Sequence, residues 1–374
     1  MIDIGMNCDI EVGRRRLHLQ TGYSADTRKA IVSVFDGGVL VFRNDFAVDG
    51  IAEEAALEQQ VRHYHDLVRA DIELLFHMAE RVRESKHLPS LRHLGHLFLV
   101  KGFYSEAIEL LESVKSMGAA DAELVFELAK AYFRRGDYPA ALREAEAAAL
   151  QKPEYPDVQL LLAKIYWRMK QFEQARACFQ NAAALNDRYW DAWFSLAVCL
   201  IESTVDDPVH PNLPPPIERL READQLFRKA GKIATDIDQE LLELGLEKLK
   251  IGADVEEALA VFERARRQDR PGKLFDSEFY LKFMFGQLDD DCLTLDYYIR
   301  TIAQVLSQNP QYADLRHSLG VAYMLKGWQC FSRATREFEE AVKINPDYEN
   351  AKKKLKLMQN DGRGLLILLR AVLN

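Results

Sequence analysis

Little in this chain of 374 residues supports a disulfide scaffold, secretion or a membrane span. The cysteines, Cys8, Cys178, Cys199, Cys292 and Cys330, are odd in number, far apart and form no C-x-x-C pair. A disulfide framework is therefore not expected, and a reducing, cytoplasmic setting is. The opening MIDIGMNCDIEVGRRR carries Asp3 and no basic residue ahead of a long apolar run, so it does not read as a signal peptide. No apolar run reaches the roughly 18 residues that a bilayer span requires. The nearest, Leu365 to Leu369 with Ala371 to Leu373, is broken by Arg370, so no membrane insertion is expected. Glycine (19) and proline (12) are few for the length, while hydrophobic residues make up 48% and charged residues 29%, the balance of a protein built from helices joined by short turns. A surplus of cations is also missing. The net charge of -9 argues against broad nucleic-acid or anionic-membrane binding, both of which need excess Lys and Arg.

Catalytic signatures are absent as well. No P-loop, no G-x-G-x-x-G after a strand, no H-E-x-x-H and no G-x-S-x-G is found, so neither an enzyme nor a cofactor is expected. His87, His93 and His96 form the sharpest metal candidate, because residues three apart on a helix point the same way. No Cys or carboxylate at ligand spacing completes a set of four, and the expectation is no metal. His63 and His65 stand two apart on a helix and are expected to face solvent.

What is present is a period of 34 residues. Leu94-Gly95 with Phe98, Leu128-Ala129 with Tyr132, and Leu162-Ala163 with Tyr166 recur in register, and each is followed by an alanine: Ala107, Ala141, Ala175. Two antiparallel helices approach closely only where one presents Gly or Ala under a bulky residue of the other. Lys101-Gly102, Arg135-Gly136 and Met169-Lys170 mark the turns, each followed by an aromatic, Tyr104, Tyr138 or Phe172, and Pro153 ends a second helix. Weaker copies follow. One opens with Trp190, Trp193, Leu196 and Ala197 and continues, after a proline-rich insertion at 202–216, with Ala223, Phe227 and Ala230. Another carries Leu244-Gly245, Gly252, Ala258, Phe262 and Ala265; the segment from Phe275 to Pro310 keeps only an outline. The last reads Leu319-Gly320, Tyr323, a turn at Gly327, then Ala334, Phe338, Ala341 and Asn345-Pro346.

These positions resemble the tetratricopeptide repeat signature over residues 88–359, about seven units. The resemblance implies a mainly α fold, an α-solenoid of helix-turn-helix units, with residues 348–359 as a solvating cap helix and 360–374 as an apolar tail. It also implies a non-catalytic protein-protein interaction scaffold or adaptor whose groove is lined by the first helix of each unit. Carried onto the three clear units, the family's groove positions include Arg92, His93, His96, Phe126, Lys130, Phe133, Arg134, Lys164, Trp167 and Arg168. That wall is cationic with aromatic planes and suits a protein or peptide bearing acidic and apolar residues. Where relatives that hold chaperone tails need polar or basic groups, Glu127, Asp157 and Leu161 stand instead, which argues against that ligand.

The first 87 residues carry no such resemblance. Asp9 to Val12, Leu17 to Thr21, Ile31 to Phe35 and Val39 to Phe42 read as short strands with hairpin turns at Gly13-Arg14 and Asp36-Gly37-Gly38, a small antiparallel β unit over residues 1–50. Residues 51–87 read as a long linking helix with a stripe at 57, 61, 64, 68, 71, 75, 78 and 82. Extra apolar residues, Leu67, Ile72, Leu74 and Phe76, widen that stripe beyond a homodimer seam and favour packing within the chain. An alternative to the groove is a regulator whose β unit binds a ligand or partner while the repeats dock or self-associate.

Overall fold

The computed structural model describes residues 4–13, 15–48, 54–234, 237–250, 255–266 and 313–373, with isolated helical positions between 295 and 307. Two compact units emerge, one comprising 1–103 with 271–374 and the other 104–270.

The first unit opens with an antiparallel meander, β1 (Gly5–Val12), β2 (Arg15–Ser24), β3 (Lys29–Asp36) and β4 (Val39–Ala47), in spatial order β1-β2-β3-β4. The strands run longer than the apolar alternation alone suggests, because flanking polar residues continue the ladder on the solvent face. Gly37 (φ 56°) and Gly38 (φ 84°) both take the left-handed conformation that a two-residue hairpin turn demands. Register slips between Val34 and Phe35, whose partners are Phe42 and Leu40, so Val41 is the extra residue of a β-bulge. Helix α1 (Glu54–Ser85) lies across β1, β2 and β3. It buries Leu57, Val61, Val68, Ile72 and Leu75 while the sheet buries Ile10, Leu17, Leu19, Val32 and Val34, so the wide stripe is consumed within the chain. His65, expected at the surface, is only 6% exposed.

Helix α2 (Leu88–Val100) groups with α1 and the sheet, in the unit whose first segment runs to residue 103. The reason is aromatic: Phe76 meets Phe98 and Phe103 edge-on at centroid distances of 5.2 and 5.1 Å. The bulge adds a second tie, since the Lys101 ammonium sits 5.4 Å from the Phe42 ring centroid and Gly102 abuts Val41.

The second unit continues the repeats: α3 (Tyr104–Ser116), α4 (Ala122–Arg135), α5 (Tyr138–Gln151), α6 (Pro156–Arg168), α7 (Phe172–Leu185), α8 (Trp190–Asp206), α9 (Pro216–Ile233), α10 (Gln239–Lys250) and α11 (Val255–Ala265). Ala107, Ala129, Ala141, Ala163 and Ala175 are wholly buried, as close helix approach requires. The period is written into polar contacts too. Tyr132 donates to Glu112 at 3.0 Å and, 34 residues on, Tyr166 donates to Glu146 at 3.1 Å. Burial and those carboxylates push both phenols up to about 12. Gly102, Gly136 and Lys170, again 34 apart, all close their first helix in the left-handed region, at φ 81°, 87° and 61°.

The insertion after α8 is tied down. Arg219, fully buried, donates to the carbonyls of Ser203 (2.7 Å), Asp207 (3.0 Å) and Pro208 (2.7 Å), capping the end of α8 and holding the loop in one stroke. Asn212 donates to Glu173 of α7 at 3.0 Å, and Leu213 is buried.

Residues 313–344 form one continuous helix, α12 (Ala313–Ile344), where two helices with a turn at Gly327 are expected. Unlike Gly102 and Gly136, Gly327 does not adopt a positive φ, so nothing interrupts the ladder there. Tyr323 is 56% exposed where its repeat counterpart Tyr132 is buried. The cap and tail likewise merge into α13 (Glu349–Leu373), which pairs with α12 around Asn345 to Tyr348. The expected unit between Phe275 and Pro310 lies almost wholly outside the described residues.

Candidate functional site

In the array, α4 contacts α6 and α6 contacts α8 directly, whereas α5 and α7 do not approach each other to the same degree. The first helices α4, α6 and α8 thus line one layer of the array and the second helices α5 and α7 the other. On α4, Phe126, Lys130, Phe133 and Arg134 fall at helical spacing along the side opposite the buried Leu124, Leu128 and Ala131. The Lys130 ammonium sits 3.8 Å from the Phe126 ring centroid, a cation–π contact, and Phe133 meets Tyr138 at 5.9 Å. Arg134 and Arg168 are exposed; the Arg168 guanidinium lies 5.4 Å from the Trp167 ring.

The structure brings together Phe126, Lys130, Phe133, Arg134, Lys164, Trp167 and Arg168 on the first-helix layer of this unit. Arg92, His93 and His96 are half-buried on α2 in the other unit. His87 is held locally, its Nδ1 2.9 Å from Ser90 Oγ.

Two members of the wall are not the outward-facing groups the sequence suggests. Lys164 donates to Asp191 of α8 at 2.9 Å, and Arg266, just past α11, reaches the other oxygen of Asp191 at the same distance. Ser195 donates to that carboxylate as well, at 3.2 Å. Burial alone would push the Asp191 carboxyl up, but the cations on either side more than offset it and hold it below the usual carboxylate range. Trp167 donates its indole N–H to Glu202 at 2.8 Å. Lys170 pairs with Asp206 one turn further, and Tyr189 donates to Asp157. The α8 margin is thus acidic and internally satisfied, while the α4 margin carries the outward cations.

Asp191, Glu202 and Arg266 were not singled out by sequence reasoning. A signal existed for the first: Asp191 lies one period of 34 beyond Asp157, at a groove offset (157 + 34 = 191), but its repeat is degenerate. Arg266 carries no such signal, since its approach to Asp191 depends on how α11 packs against α8.

Among the described residues no group of His, Cys, Asp and Glu has the arrangement of a metal site, and no helix is long and apolar enough to cross a membrane. No curated protein matches the chain. Among solved structures, the crystal structure of MamA is 19% identical, with 46% of this chain and 91% of that chain covered and a TM-score of 0.35. The first TPR of Spaghetti (RPAP3), bound to the HSP90 peptide SRMEEVD, is 20% identical, with 35% and 91% covered and a TM-score of 0.29. A family model, the tetratricopeptide repeat, matches residues 101–165 and, overlapping them, 132–184. Residues 101–184 of this chain accordingly match the tetratricopeptide repeat, within a mainly helical protein that carries an N-terminal four-stranded sheet.

Proposed function

We propose that this protein is a non-catalytic, cytoplasmic adaptor that seats a segment of another protein on the inner face of α4 and α6. The observation that carries this reading is the row of half-buried rings on that face, Phe126, Phe133 and Trp167, interleaved with the cations Lys130, Arg134 and Arg168. Rings so placed are not needed for solubility, and aromatic and arginine side chains dominate the energy of protein interfaces. The ligand's acidic groups meet Lys130, Arg134 and Arg168. Lys164 serves the wall structurally through Asp191. Because the α8 margin presents Glu202 and Asp206, the bound segment is favoured with its carboxylates toward α4.

Selection from a library of random peptides tests this without the natural partner in hand. Peptides that combine Asp or Glu with large apolar residues are expected to be enriched on the unaltered protein and lost on Arg134→Glu. Enrichment of basic peptides, or enrichment indifferent to Arg134→Glu and Phe133→Ala, would move the site elsewhere.

A further inference from the structure

Beneath the N-terminal sheet lies a polar file that neither the repeats nor their groove use. Cys8 on β1 and Thr21 on β2 are diagonal neighbours on the sheet face that α1 covers, for Cys8 pairs with Leu19 and Thr21 with Met6. His65 of α1 enters between them. Its Nδ1 lies 2.8 Å from Thr21 Oγ1 and its Nε2 3.2 Å from Cys8 Sγ. His65 and Thr21 are 6% and 1% exposed, in an interface otherwise made of Ile10, Leu17, Leu19, Val61, Val68 and Ile72. Three aliphatic side chains would fill that space without the cost of desolvating an imidazole.

The arrangement is that of a nucleophile, a base and a group orienting the base. With the Nδ1 proton donated to Thr21, Nε2 is left as the acceptor for the Cys8 thiol. Cys8 is only partly buried, unlike His65 and Thr21. Arg69, one turn beyond His65, favours negative charge on Cys8, against the opposing carboxylates of Asp9, Glu73 and Asp66. Burial keeps the thiol up and His65 down, so the resting pair is neutral and a proton must move to His65 as sulfur reacts.

We propose that Cys8 is a hydroperoxide-reactive thiol, with His65 as its base and Thr21 as the residue positioning that base. The sulfur lone pair bonds to the terminal oxygen of the hydroperoxide as the O–O bond breaks. The thiol proton passes to His65 Nε2 and on to the leaving oxygen, so that cysteine sulfenic acid and water or an alcohol are formed. Sulfur is oxidised and the peroxide oxygens are reduced; no further reactant is consumed.

The full chain provides its own control in Cys330, which is exposed. Hydrogen peroxide is added with a diketone trap for sulfenic acid, and labelling at Cys8 and Cys330 is followed by peptide mass spectrometry. Cys8 is expected to label faster than Cys330 despite being less exposed. His65→Gln should slow Cys8 about tenfold or more, as loss of a general base does, and leave Cys330 unchanged. In the unaltered protein the Cys8 rate should fall with pH as His65 gains its proton, within the field of Asp9, Arg62, Asp66, Arg69 and Glu73. Faster labelling at Cys330, an unchanged Cys8 rate in His65→Gln, or a profile that follows thiol ionisation alone would overturn the proposal. Should His65→Gln fail to fold, Thr21→Val and the pH profile carry the same decision.

Discussion

Three left-handed residues set the pace of the repeats. Gly102, Gly136 and Lys170 do the same backbone work at intervals of 34, but only the glycines do it without strain. Lys170→Gly is expected to raise stability by up to about 1 kcal/mol, read as a higher Tm, because the exposed pair with Asp206 that it gives up is worth less than the relief. A lowered Tm would mean that the ion pair outweighs the strain. Gly102→Ala should be far worse than Gly136→Ala. The φ penalty is shared, but a Cβ at 102 would lie 2.1 Å from the Val41 carbonyl oxygen, whereas at 136 it meets nothing within 4 Å. His65 supplies a pH dependence of known sign. Burial lowers its folded pKa below the unfolded value of about 6.5, so the unfolded chain binds the proton more readily. Stability is therefore full above about pH 6.5 and declines as pH falls through the folded pKa, and in His65→Gln denaturant midpoints should lose that decline.

At the level of elements, the sharpest departure from the sequence pattern is α12. Gly327 looks like the turn glycines at 102 and 136, yet it stands inside an unbroken helix with open space where a Cβ would go. Gly327→Ala should then stabilise the protein by about 1 kcal/mol, the helix-propensity difference. If residue 327 were a left-handed turn, the same change would destabilise, so the direction of the Tm shift decides. Residue types could not make this distinction, because Leu319-Gly320, Tyr323, Ala334 and Phe338 repeat the right letters without the packing that gives them meaning; Tyr323 stays exposed. The strong repeats were legible because small and bulky residues recur in register and are buried together, as Ala107, Ala141 and Ala175 are. The meander and α1 were legible from alternation and from the stripe. His65 was not, because its burial depends on a sheet packed 44 residues earlier in the chain, at Thr21. For the proposed wall, spacing placed its residues on α4 and α6, but the capture of Lys164 by Asp191 and of Trp167 by Glu202 is tertiary. Asp191→Ala should cost about 2 kcal/mol, since it strands two half-buried cations that share one carboxylate. Arg134→Glu, exposed, should change stability by less than about 0.5 kcal/mol.

For the whole molecule, the two proposals fall to separate units, partner holding to the array and the Cys8 chemistry to the sheet with α1. Truncation at residue 88 would leave α2 without Phe76, the ring that meets both Phe98 and Phe103, so a cut at 103/104 is expected to give the better-behaved fragment. The central claim is that the α4 and α6 face is where a partner sits. A photo-crosslinking side chain placed at Phe133, and separately at the exposed Gln174 of α7 on the second-helix layer, tests it most directly against a peptide selected on the protein. The account predicts crosslinking from position 133, little from 174, and loss of the 133 crosslink when Arg134→Glu is added. Crosslinking from 174 with none from 133, or a 133 crosslink unaffected by Arg134→Glu, would contradict it.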